Sequence, residues 1–117
     1  MYQGRYWNID YACIGNGQKP AKSFIENLDP ASQVGFSALL RHVCDERVYM
    51  NTEKFKKLKN NSGLWQFRYH DFRLLAYQLS NTYILTNGFR KDQNKTDQSY
   101  IDLAIRIKNE DASRRSL

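Results

Sequence analysis

The stretch LWQFRYHDFRLLAYQLSNTYILTNGFRK, residues 64–91, decides the fold of this chain. Its first six residues alternate apolar and polar side chains, as in a strand with one buried face, and a nearly continuous apolar run follows from residue 72. The pairs His70-Asp71 and Ser80-Asn81 separate three such runs, and asparagine tolerates the left-handed backbone of a tight turn. The stretch therefore predicts three consecutive antiparallel strands joined by tight turns.

The flanking sequence adds one strand and three helices. Residues 7–13 alternate as a strand does, and residues 21–28 carry an amphipathic helical stripe. Asp29 and Pro30 start a second helix, which fades near residues 48–51, and Thr96-Asp97 starts the last one. The order β-α-α-β-β-β-α predicts an α+β domain of two layers, an antiparallel sheet with the helices on one face.

Length and composition indicate the number of domains and the cellular compartment. A chain of 117 residues is enough for one domain, 1–117, with about 110–117 expected to form a flexible tail. The start MYQGRYWNID has no apolar run of signal-peptide type, and no stretch approaches the length of a membrane span. Cys13 and Cys44 lie among apolar residues, so we expect two buried free thiols in a reducing compartment. These features predict a cytoplasmic protein with no membrane partner.

The charge balance suggests a polyanionic partner. Eighteen Lys and Arg against twelve Asp and Glu give a net charge of +6. Nucleic acid is the commonest partner of such a small basic domain, although a solvated basic surface without a partner has the same composition.

The cations fall close to the predicted meander. Arg68 and Arg73 flank its first turn, and Arg90-Lys91 ends its last strand. We expect them to project from a helix-free face of the sheet and form a phosphate-binding concavity, because a buried arginine without a partner is costly. Surface ion pairs or a solvated loop would explain them without a function. The basic segment before the meander contains Lys54, Lys56, Lys57 and Lys59.

Histidines and tyrosines offer fewer clues. His70 lies at the predicted turn, where it is either a proton-transfer group or a plain surface residue, and His42 is expected to be structural. Tyr100 is placed either to stack on a splayed RNA base or to begin the core of the last helix. No cluster of His, Cys or carboxylate groups suggests a metal, and we expect no cofactor.

Residues 52–108 resemble the toxins of the RelE/ParE superfamily, and most of all the phage-derived, HigB-like branch. The resemblance rests on an ordered set of short motifs rather than on one decisive motif. These are Leu64-Trp65, Arg68, Arg73, Gly88-Phe89, Arg90-Lys91, Gln93 to Thr96, and Ala104 to Arg106.

The resemblance implies a type II toxin–antitoxin toxin that cleaves messenger RNA on the ribosome without a metal, by attack of a ribose 2′-hydroxyl on the adjacent phosphate. It implies a helix-turn-helix antitoxin encoded next door. Arg-Lys replaces the Lys-Lys pair of many relatives, and no residue matches the C-terminal tyrosine of the RelE branch. The alternatives are a ParE-like gyrase inhibitor and a non-catalytic nucleic-acid-binding module. By position, the catalytic residues would be Arg68, Arg73 and Lys91, and the RNA-binding residues Lys57, Lys59, Arg90, Tyr100 and His70.

Overall fold

The computed structural model describes residues 1–92 and 97–116. The predicted loop Gln93 to Thr96 lies outside them. Within the described residues the chain forms one six-stranded sheet and three helices. The elements are β1 (Tyr2–Gln3), β2 (Asn8–Tyr11), α1 (Pro20–Glu26), α2 (Pro30–Asp45), β3 (Phe55–Lys57), β4 (Leu64–Tyr69), β5 (Phe72–Leu79), β6 (Thr82–Arg90) and α3 (Gln98–Arg115).

The predicted meander is confirmed as β4, β5 and β6, which pair antiparallel in that order. His70 and Ser80 occupy its two turns with φ angles of 52° and 56°. The sheet order is β1-β2-β6-β5-β4-β3, and β2 pairs parallel to β6. The expectation of a wholly antiparallel sheet was therefore wrong at this one junction, because α1 and α2 lie in the long connection between β2 and the meander.

The helices lie on both faces of the sheet, not on one as predicted. Leu74 packs in a core with α1 and α2, whereas its neighbour Leu75 packs in a second core with α3. Successive strand residues point to opposite faces, so the two cores are separated by the sheet. The domain consequently has three layers. Five consecutive residues of β5, from Arg73 to Tyr77, are buried. They are buried because helices cover both faces of this strand.

The sequence does not predict two short strands, β1 and β3. β1 has two residues and β3 three, too few to show a period. β3 lies inside the basic segment, where Phe55 is buried and stacks on the Trp65 ring with centroids 5.0 Å apart. β3 forms one edge of the sheet, next to β4.

The C-terminal segment is helical and anchored, which corrects the expected tail from residue 110. α3 continues to Arg115, and Asp111 in its last turns is 1% exposed. The Asp111 carboxylate accepts hydrogen bonds from the Tyr77 hydroxyl at 2.5 Å and from the Cys13 backbone N–H at 2.8 Å. These contacts hold the end of α3 against the sheet.

Both cysteines are free, but only Cys44 is buried, while Cys13 is half-buried. None of the helices in the described ranges has the length and apolar character needed to cross a bilayer.

Candidate nucleic-acid interface

Arg68 and Arg73 lie directly opposite each other on the first hairpin. The β4–β5 register pairs their Cα atoms, so both side chains leave the same face of the sheet, the one on which α3 packs. Arg68 is exposed, whereas Arg73 is only 9% exposed. Two like charges at opposed positions destabilise a sheet unless an anion lies between or above them.

The Arg73 guanidinium is fixed by main-chain oxygens rather than by a carboxylate. Its Nη1 donates to the carbonyls of His70, at 2.7 Å, and Phe72, at 3.1 Å. Burial, and then the nearby charge of Arg68, lower the pKa of Arg73 from the usual arginine value. Among residues 1–92 and 97–116, no carboxylate oxygen lies within 4.0 Å of this guanidinium. Asp97 and Asp71 act on this charge from farther away and raise the pKa of Arg73, against the two lowering causes.

Lys91 joins the arginines from the end of β6. Phe89 pairs with Arg73 across β5 and β6, and Lys91 lies two positions further on the same face. Its backbone N–H donates to the Asp71 carbonyl, and its ammonium lies 2.9 Å from the Asp97 carboxylate. One carboxylate can occupy only part of an ammonium with three N–H donors, so Lys91 can still bind an anion.

Lys56 completes this group from the edge strand. It pairs with Gln66, two positions from Arg68, and so lies on the same face. Lys56, Arg68, Arg73 and Lys91 are called the cationic cluster below. Together with Gln66 and Asp97 they line a depression of about 950 Å³, which continues around the β3 edge to Trp65 and Tyr83. The four cations of the cluster, with Asp97 as the carboxylate in contact with one of them, are suited to a phosphate backbone.

The expectation of a helix-free face was wrong, since α3 covers part of it. The Tyr100 ring, near the start of α3, stacks on Phe89 with centroids 4.2 Å apart and 3° between the planes. Phe89 is buried and Tyr100 half-buried. Tyr100 thus belongs to the core beside Arg73 and still presents part of its side chain to solvent.

Two of the predicted RNA-binding cations point away from the cluster. Arg90 pairs with Phe72, lies 3.8 Å from the Asp71 carboxylate, and is placed over the Phe72 ring on the α1–α2 face. Lys57 pairs with Trp65 and leaves the sheet on that same face, where it lines the part of the 950 Å³ depression that continues around the β3 edge. Both positions differ from their neighbours Lys91 and Lys56 by one residue, which is enough to reverse the direction of a strand side chain.

The remaining predicted RNA-binding residues, His70 and Lys59, lie outside the cationic cluster. His70 is exposed at the hairpin tip, and its ring lies against Tyr69, 4.3 Å between centroids, on the far side of the sheet. Lys59 is exposed beyond β3 and lines the 950 Å³ depression. His42, expected to be structural, is exposed on α2.

Sequence reasoning missed Lys56 and Asp97 as members of the site. Lys56 could have been chosen over Lys57 had β3 been recognised, because its register with β4 decides which lysine faces Arg68. The sequence identified Asp97 only as the start of a helix. Its contact with Lys91 depends on how α3 packs and has no local sequence pattern.

The fold and site together define a small basic α+β protein with a cationic cluster on one sheet face. Residues 23–109 match the model of the family described as phage derived protein Gp49-like (DUF891). The chain belongs to this family, which is a RelE/toxin-like family. No curated protein matches the chain.

Proposed function

We propose that this protein is the toxin of a type II toxin–antitoxin system, of the HigB-like branch, and that it cleaves messenger RNA on the ribosome. The observation that carries the proposal is the opposed pair Arg68 and Arg73, with Arg73 nearly buried and free of any described carboxylate within 4.0 Å. Membership of a toxin-like family supports the class.

The proposed reaction suits fixed cations. The ribose 2′-hydroxyl loses its proton to water and attacks the adjacent phosphorus, while the bond from phosphorus to the 5′-oxygen breaks and that oxygen takes up a proton. The products are a 2′,3′-cyclic phosphate and a 5′-hydroxyl. Negative charge builds on the non-bridging phosphate oxygens in the transition state. Arg73, immobilised by two carbonyls, is preorganised to stabilise that charge, and Arg68 offers a second fork from the opposite strand.

Lys91 is proposed to assist the departing 5′-oxygen. Asp97 holds its ammonium at 2.9 Å, and an ammonium N–H can donate a proton to a leaving group. Lys56 and Tyr100 are proposed to hold the flanking RNA, through a phosphate and through base stacking on the exposed part of the ring.

The partner is proposed to be a helix-turn-helix antitoxin encoded beside this gene. A protein with a net charge of +6 favours a neutralising surface with acidic contacts. Co-expression of the neighbouring reading frame should restore growth, and the two proteins should co-purify.

The test is expression in cells followed by primer extension on translated messenger. The wild-type chain should arrest growth and produce cuts within reading frames, whereas Arg68→Ala, Arg73→Ala and Lys91→Ala should each reduce cleavage by about 10²–10³. Circular dichroism of each variant checks that it is folded. Lys22→Ala, on the exposed side of α1 and away from the cluster, is the matched loss of charge and should remain toxic.

Other outcomes would redirect the assignment. Double-strand breaks in DNA with intact messenger would identify a gyrase inhibitor instead. Normal growth on expression without any partner would leave a non-catalytic binding module. Folded Arg68 and Arg73 variants that cleave at wild-type rates would remove these residues from the site.

A further inference from the structure

A second depression, of about 570 Å³, lies between α2 and the tip of the β4–β5 hairpin. It is referred to below as the hairpin depression. Its volume is within the range of ordinary small-ligand sites. The side chains that matter for its chemistry come from three separate elements and are Arg68, Tyr69, His70, His42, Tyr49 and Lys54.

Arg68 belongs to both depressions, and the sheet edge explains why. β3 begins at Phe55, opposite Phe67, and the last link to β4 is the bond from the Arg68 N–H to the Lys54 carbonyl. Beyond that point β4 is itself the edge of the sheet. The Arg68 side chain is exposed there and lines the space on either side of the edge. An RNA strand bound at the cationic cluster can therefore turn around Arg68 into the hairpin depression.

The lining of the hairpin depression combines positive charge with aromatic rings. Arg68 and Lys54 contribute the positive charge, and both histidines of the chain face the same space. Glu53 is the one acidic residue among the described lining residues. The rings of Tyr69 and His70 meet edge to face at 4.3 Å, and those of His42 and Tyr49 at 5.2 Å.

This combination is that of a single-stranded nucleotide site. Flexible RNA is held by cations along its backbone and by rings on which unstacked bases lie. Ala38 and Leu39 on α2 give the depression a small, apolar wall against which a base can lie.

We propose that the hairpin depression is a second RNA subsite, which takes the nucleotide adjoining the phosphate at the cationic cluster. The inference rests on the proposed function and adds to it the path that the bound RNA strand follows over the protein. Arg68 is the pivot, Lys54 holds the next phosphate, and the base lies among Tyr49, His42 and His70.

The two histidines provide a direct readout. They are the only imidazoles in the chain, so an NMR spectrum of the Cε1–Hε1 groups of the full-length protein contains two signals. The probe is a single-stranded RNA hexanucleotide with 2′-O-methyl sugars, which cannot be cleaved by 2′-hydroxyl attack. We expect both signals to move with one saturation curve, and the bound spectrum to differ from that in inorganic phosphate alone.

A variant pair separates the subsite from general basicity. Lys54→Ala should weaken binding and reduce the slope of log affinity against log salt by about 0.7, the value of one lost contact to single-stranded nucleic acid. Lys22→Ala removes an equally exposed charge outside both depressions and should leave the binding curve and the histidine shifts as in wild type.

The two proposals fail in different ways. If messenger is cleaved in cells while neither imidazole signal moves, or only that of His70 does, the subsite is wrong and the nuclease stands. If both signals move and Lys54→Ala weakens binding, but no messenger is cut, the nuclease is wrong and an RNA-binding depression stands. Absence of saturable binding up to millimolar RNA overturns the subsite.

Discussion

The Lys91 ammonium and the Asp97 carboxylate lie 2.9 Å apart, and they join the end of β6 to the residue that precedes α3. Both side chains are about one-third exposed. The pair puts a single negative charge beside a cluster of four cations, so it orients Lys91 while weakening the attraction of the cluster for RNA.

This arrangement predicts opposite effects of Asp97→Asn on rate and binding. Cleavage should slow by about tenfold because Lys91 is no longer held in place, a loss of orientation. The affinity for RNA should be unchanged or higher, since a carboxylate has been removed from a cationic face. Single-turnover cleavage on programmed ribosomes, measured against toxin concentration, separates the two quantities.

Asp102→Asn is the matched control for Asp97, because Asp102 is exposed on the same helix and its side chain accepts from Gln98. It should alter neither quantity. If Asp97→Asn weakened binding and left the maximal rate unchanged, Asp97 would have no orienting role.

The second prediction concerns the anchor of α3. Asp111 is buried and also accepts from Arg115 Nε at 2.6 Å, so Asp111→Ala leaves Tyr77 and Arg115 without their common partner. We expect a loss of about 3 kcal/mol in the free energy of unfolding, as for removal of one member of a buried polar pair. Urea denaturation measures it. Asp102→Ala should cost well under 1 kcal/mol, as exposed substitutions do, and an equal loss for both variants would contradict the anchor.

The third prediction concerns Gly35 in α2. Alanine is favoured over glycine in a helix by about 1 kcal/mol, but a Cβ at this position would lie 2.2 Å from the Tyr69 ring. Gly35→Ala should therefore lower the melting temperature by displacing that ring. Ser37→Ala, at an exposed position two residues away, should leave it unchanged or raise it. A stabilised Gly35→Ala variant would disprove the close helix–strand approach that shapes the hairpin depression.

The fourth prediction concerns alkaline pH. Burial raises the pKa of the Cys44 thiol and of the Tyr83 hydroxyl, each to about 12, from ordinary values of 9.0 and 10.0. Because the folded state holds these protons more tightly than the unfolded state, their contribution to stability is complete below pH 9 and is lost as the pH rises towards 12. The free energy of unfolding from urea titrations at pH 8, 9, 10 and 11 should fall along this series.

Cys44→Ala removes one of the two groups and should make that decline shallower, particularly from pH 9 upward, where the thiol begins to ionise in the unfolded chain. A decline of the same slope in the variant would show that Cys44 does not contribute.

Local sequence was sufficient for the meander, the helices and the arginine pair. The alternation in residues 64–69 and the turn at His70-Asp71 already require that Arg68 and Arg73 meet across a hairpin, because a tight turn determines the register of its strands. The capping by Asp29, whose side chain accepts from the Ser32 N–H, was equally local.

The faces of the sheet were decided by tertiary structure alone. Whether α3 joins α1 and α2 or covers the other face depends on its connection from β6 and on which apolar surface it can bury, and no pattern within residues 98–115 records that choice. The pairing of β3 with β4, which brings Lys56 rather than Lys57 to Arg68, and the contact of Asp97 with Lys91 join residues from separate elements in the same way. Periodicity reports which side of an element is apolar, whereas the partner of that side is chosen by the packing of the whole chain.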